Sequence, residues 1–183
     1  MAMTKTAQQY TAVTERCRDI FLKKAKDYGT SWRVLRAISI ADQIYIKAQR
    51  IRTIQENKSQ RIADPVAGEF MGIVNYGIIA LIQDALPADA PIDLPYAEVE
   101  QLYNRFMEAT MRLMQDKNTD YGEAWRSMSQ ESFVDLILVK LLRIKQIIAN
   151  DGHTIISEGA DANFTDIINY AVFALIRQDE NPA

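Results

Sequence analysis

Apolar residues return every three to four positions along most of the chain, and the runs with this period are broken by glycine, proline or polar clusters. That spacing predicts helices, because strand side chains alternate with a period of two. Six helices are expected, at roughly Gln8–Asp27, Val34–Glu56, Val66–Asp84, Ala97–Lys117, Gln130–Asn150 and Ala162–Arg177. Pro87, Pro91 and Pro95 interrupt the pattern between the third and fourth, where proline removes a backbone donor and favours an extended connector. The chain therefore divides into residues 1–86 and 98–183, joined by a proline-rich linker over 87–97.

The second set of three helices is a copy of the first. Lys24, Asp27, Tyr28, Gly29, Trp32, Arg33, Ser39, Asp42, Ile44, Lys47, Arg50 and Ile51 return 93 residues later, from Lys117 through Tyr121 and Gly122 to Ile144. After a one-residue shift, Phe70, Ile73, Asn75, Tyr76, Ala80, Leu81 and Ile82 return as Phe164, Ile167, Asn169, Tyr170, Ala174, Leu175 and Ile176. Gly29 and Gly122 fall where a first helix ends, suited to a left-handed cap, with Trp32 and Trp125 three residues on to pin the turn. Three helices with long apolar stripes cannot cover their own core, so the expected fold is all-α, two tandem three-helix repeats packed about a pseudo-twofold axis.

Composition narrows the classes. The net charge of −3 gives no global attraction to duplex nucleic acid or an anionic membrane. The start of the chain lacks an apolar signal core, and the longest apolar stretch, Phe70–Ile82, is short for a bilayer and contains Asn75 and Tyr76. One cysteine, Cys17, excludes an internal disulfide, and with one histidine, His153, it cannot build a soft-ligand zinc site. A cytoplasmic location is expected. Walker-type loops, dinucleotide fingerprints and nucleophile elbows are absent, which removes the common ATPase, dehydrogenase and hydrolase readings.

One feature does not behave like scaffold. In the second helix Ile40, Ile44, Lys47, Ile51 and Ile54 share a face, and Phe133, Ile137, Lys140, Ile144 and Ile147 repeat it, so each copy keeps a lysine inside an apolar stripe. An ammonium there needs a carboxylate, a polar cavity or a route to solvent. Arg50 and Arg143 follow three residues later beside the same face, whereas Asp42 and Asp135 lie well around the helix. In the third helix Asn75 and Tyr76, like Asn169 and Tyr170, interrupt an aliphatic run and require hydrogen-bond partners. Glu69 and Asp166 do not correspond: the shift sets Glu69 against Asn163 and Asp166 against Gly72. Either the copies complete one composite site or each acid neutralises a lysine of its own half. A basic pocket of this kind suits an anionic, phosphorylated small molecule, with Trp32, Trp125, Tyr28 or Tyr121 available to stack a base. The alternative is a helical interaction module whose polar network only fixes register, self-association included.

The succession Lys-x-x-Asp-Tyr-Gly-x-x-Trp-Arg, then Lys-x-x-Arg-Ile, then an acid-bearing helix ending Asn-Tyr-Ala, resembles the nucleotide-modification-associated domain, type one. The resemblance spans nearly the whole chain, twice. It is fuller in the second copy, since the first has Gly72 for the late aspartate and Gly77 for the alanine. It implies nucleotide metabolism or modification without fixing a reaction. A more distant similarity to MazG-type nucleoside triphosphate pyrophosphohydrolases implies paired carboxylates that hold Mg2+ around a triphosphate. The acids on offer are Glu158-x-x-Asp161 near a helix start, isolated Asp166 and Glu69, and Asp42 and Asp135 on the second helices, but the Glu-x-x-Glu of the partner helix is missing. Magnesium binding thus requires Glu15, Glu108, Asp42 or Asp135 to converge on the other acids in space.

Overall fold

The computed structural model describes residues 2–182. Among these there are six α-helices, two short 3-10 turns and no strand. The first half contains α1 (Lys5–Tyr28), α2 (Ala37–Asn57) and α3 (Val66–Ala85); the second contains α4 (Tyr96–Tyr121), α5 (Gln130–Ala149) and α6 (Ala160–Glu180). The 3-10 turns, Ser31–Val34 and Ala124–Ser127, occupy matching places after α1 and α4. Thr4 caps α1 by accepting from the Ala7 amide, and Ser129 caps α5 by accepting from that of Ser132, each occupying one orphan donor of a first turn. The two glycine stops differ. Gly122 is left-handed (φ 58°, ψ 35°), whereas Gly29 has φ 60° with ψ −138°, a region open only to glycine; both amides still close on the carbonyl four residues back.

Each layer takes one helix from each half. The apolar α3 and α6 pack together at the centre, α2 and α5 pair across one side of them, and α1 and α4 pair across the other. One hydrophobic core runs through all three layers, from Tyr10 and Tyr103 through Phe70 and Ile168 to Ile44 and Ile137. The helix α3 is longer than the apolar stretch read from sequence, and by length and hydropathy alone it reaches the requirement for a membrane span. Half of that window is buried inside the protein, against α6 and α2 above all.

Two sets of contacts between the halves come in reciprocal pairs, as a pseudo-twofold interface leads one to expect. The Tyr10 hydroxyl donates to Asn169 Oδ1 at 2.8 Å, and its counterpart Tyr103 donates to Asn75 Oδ1 at 2.9 Å. Each asparagine then donates back to a first-helix carbonyl of its own half, Asn75 to Cys17 at 3.0 Å and Asn169 to Thr110 at 3.4 Å. Burial pushes both tyrosine hydroxyls far above their ordinary range, so they remain protonated donors, and it pushes the Cys17 thiol up to about 12. On the other side, Asp42 meets Lys145 at 3.0 Å and Asp135 meets Arg52 at 3.7 Å, a symmetric exchange that spends the two aspartates on the interface between repeats.

The central crossing is symmetric in position but not in composition. A Cβ placed on Gly77 would lie 2.5 Å from Ile168 Cγ1, so only glycine lets α3 approach there. The symmetry-related positions hold Ala171 and Val74, so one methyl has moved from one side of the contact to the other. Gly77→Ala is expected to destabilise by about 1–2 kcal/mol, because overpacking outweighs the gain in helix propensity. Adding Ile168→Val, which recreates the other half's pair, should recover most of that loss in urea denaturation.

Candidate functional site

Each lysine of the apolar stripes meets a carboxylate, but the two halves solve the problem at different turns of the third helix. In the first half Glu69, in the opening turn of α3, accepts from Arg50 Nη1 at 2.8 Å and more distantly from Lys47 Nζ at 3.4 Å. Arg50 also donates to the carbonyls of Ile62 and Asp64, which ties the α2–α3 loop to α2. In the second half Asp166 lies almost a turn further along α6 and accepts from Lys140 and Lys117 at 2.8 Å each, one lysine per oxygen. Burial works against the Asp166 charge, yet the hydrogen bonds and charges of Lys117 and Lys140 outweigh it and hold this carboxyl below the usual carboxylate range. Tyr170 beside it is raised, by burial first and by the Asp166 charge second.

Each half consequently leaves a different cation over. Where Asp166 would stand the first half has Gly72, and Lys24, the counterpart of Lys117, makes no ion pair among the described residues. Where Glu69 would stand the second half has Asn163, whose amide donates to the Gly159 carbonyl, and exposed Arg143 makes no ion pair among the described residues. The stem of Lys47 folds over the bare Gly72 backbone, with Cε 2.8 Å from the place of a Cβ.

Around Gly72 the first half opens a cavity of about 550 Å³. Lys24 and Tyr28 line it from the end of α1, Trp32 and Leu35 from the turn that follows, Lys47 from α2, and Gly68, Gly72, Asn75 and Tyr76 from α3. The Lys47 ammonium lies 5.9 Å from the Tyr76 ring centroid. Trp32 is half-buried, with Phe21 tilted against it at 6.4 Å, while Tyr28 at the rim is 71% exposed.

The corresponding region of the second half is filled from within. Phe173, which replaces Ile79, stacks on Trp125 at 4.2 Å with the rings 5° apart, and the Arg126 guanidinium covers the same indole at 4.4 Å. Arg126 is fixed by Glu123, Glu180, Thr6 and Gln9. Trp125 is only 5% exposed and its indole N–H has no partner among the described residues. It is therefore not available to stack a base, in contrast to the expectation from sequence. Tyr121 is exposed at the surface.

The expected cations do not meet in one pocket. Lys47 faces the 550 Å³ cavity, Arg50 a separate hollow under the 57–62 loop, and Lys140 and Arg143 an open cleft of about 1100 Å³ beneath the 149–158 loop. Nor are Asn75 and Asn169 free to bind a ligand, since both ends of each amide are engaged within the bundle. The four acids stand apart in their own ion pairs, and no three His, Cys, Asp or Glu side chains among the described residues form a group able to hold a metal ion. The residues present do not fit a magnesium site of the pyrophosphohydrolase kind. Lys24 is the site residue that the sequence reading passed over; the signal was its place as the first residue of the repeated Lys-x-x-Asp-Tyr-Gly pattern.

Fold and site together define a duplicated all-helical protein in which one half keeps an open cationic, aromatic cavity and the other closes its own. The family model described as Nucleotide modification associated domain 1 matches residues 24–83 and again residues 117–178, and the chain belongs to that family. No curated protein and no solved structure matches the chain, so the likeness to MazG-type enzymes gains no support from these comparisons.

Asp166→Asn should leave two ammoniums without their counter-charge. The expected loss is about 2–4 kcal/mol at neutral pH, below that of a sealed ion pair because Lys117 is half in solvent. Since the folded-state pKa is depressed, the carboxylate contributes fully above its unfolded value and loses its contribution as pH falls through the folded one. The stability gap between wild type and Asp166→Asn, measured in urea, should therefore narrow in acid.

Proposed function

We propose that the cavity of the first half binds a nucleotide, with Lys24 and Lys47 holding phosphate and Trp32, Tyr28 and Tyr76 taking the base. The observation that carries this reading is the pair of lysines, one without a carboxylate among the described residues and one sharing Glu69 with Arg50, on an aromatic-walled cavity of about 550 Å³. Ammonium groups there gain from a phosphate dianion by charge-assisted hydrogen bonding, and an indole face gains from a stacked heterocycle. The family's association with nucleotide modification supports the same ligand class. Binding is the function that these residues support; hydrolysis through magnesium has no acid cluster to rest on among the described residues.

The test is a panel of ribo- and deoxyribonucleotides, with and without magnesium, read by thermal shift and by chromatography of products. At least one nucleotide should raise Tm without metal, and Lys47→Met should abolish the rise while leaving the fold intact, because Arg50 still neutralises Glu69. No shift and no turnover with any member of the panel would overturn the proposal.

A further inference from the structure

The second half is a template for the occupied state of the first, and from it we infer that the ligand is a nucleoside monophosphate whose phosphate takes the place that the Asp166 carboxylate holds in α6. This inference rests on the nucleotide-binding reading above and adds the position and charge of the ligand's anion. Two groups that the second half supplies from its own chain are missing from the first. Asp166 bridges Lys117 and Lys140 at 2.8 Å, whereas Gly72 offers nothing to Lys24 and Lys47. Phe173 stacks on Trp125, whereas Ile79 has no ring to place on Trp32. The first half thus lacks one anion and one flat ring, in a frame that otherwise keeps the partners of both.

The spacing of the missing groups selects the ligand class. Asp166 and Phe173 are two turns apart, about 10 Å along the helix axis at 1.5 Å per residue. A free phosphate or a bare heterocycle fills one place only, and a sugar between anion and ring spans both. The charge selects the phosphate. Two ammoniums balance a phosphate monoester of charge about −1.5 to −2 at neutral pH, whereas a triphosphate would bring more negative charge than two lysines meet. On binding, Lys47 would leave its long contact with Glu69, which keeps its shorter bond to Arg50.

Calorimetric titration in the presence of EDTA tests this, using the ribo- and deoxyribonucleoside 5′-monophosphates, the matching nucleosides and triphosphates, and inorganic phosphate. At least one monophosphate should bind one per chain, at least tenfold tighter than its nucleoside, its triphosphate or phosphate alone. Gly72→Asp should weaken it at least tenfold, because the new carboxylate occupies the anion's place; the side chain it displaces is the flexible end of Lys47, and Asp166 shows the arrangement fits. Lys24→Met, at an exposed position that makes no ion pair among the described residues, should weaken it about tenfold and flatten its salt dependence. A nucleotide that binds wild type, Gly72→Asp and Lys24→Met equally, or a triphosphate that binds tightest, would overturn the inference while leaving nucleotide binding standing. No binding of any nucleotide to wild type would overturn both.

Discussion

An ammonium set into an apolar helix face needs an anion, a polar cavity or a route to solvent, and the differences between the two halves of this protein follow from how that requirement is met. Lys47 and Lys140 hold the same position in α2 and α5, and neither is fully exposed. The second half meets the demand with one aspartate shared by two lysines. The first half gives its glutamate mainly to Arg50 and has glycine where the aspartate would be. A cavity with surplus positive charge is the direct consequence, because the demand is unmet where the acid is absent.

The divergence is tolerable because the halves hold each other in shape by contacts that do not depend on the missing acid. The Tyr10–Asn169 and Tyr103–Asn75 bonds satisfy buried hydroxyls and amides that would otherwise cost about 1–3 kcal/mol each. The α3–α6 crossing conserves volume by trading a methyl across the contact. Glu180 adds a tie at the chain's end: hydrogen bonds from Gln9 and Arg177 hold its carboxyl at about 2, and through Gln9 and Arg126 it joins α1 to the turn before α5. This network anchors Arg126 over Trp125 and keeps the second half's counterpart of the cavity shut.

The helices, the duplication and the anomalous lysines could all be read from the chain, because each is a local pattern of period 3.6 or a repeat at fixed spacing. The Asn75 and Asn169 amides were legible as polar groups in need of partners, but not as partners of Tyr10 and Tyr103, which stand on helices of the opposite half. Trp125 and Trp32 look equivalent in the repeat. They are not, since the residue at the pseudo-equivalent positions Phe173 and Ile79 decides whether the indole is covered.

By itself, then, the sequence determined an all-helical duplicated fold, the family, and the need for a carboxylate, a polar cavity or a route to solvent at each lysine of the apolar stripes, since periodicity assigns residues to faces and burial sets the cost of charge. Only the tertiary structure decided which acid answers which base. Helix rotation and crossing bring Lys117 to Asp166 and turn Asp42 and Asp135 outward to the opposite repeat, and no short-range pattern encodes those choices. It also decided that Lys24 joins Lys47 at the same cavity, from an α1 end and an α2 middle that meet only when the bundle closes.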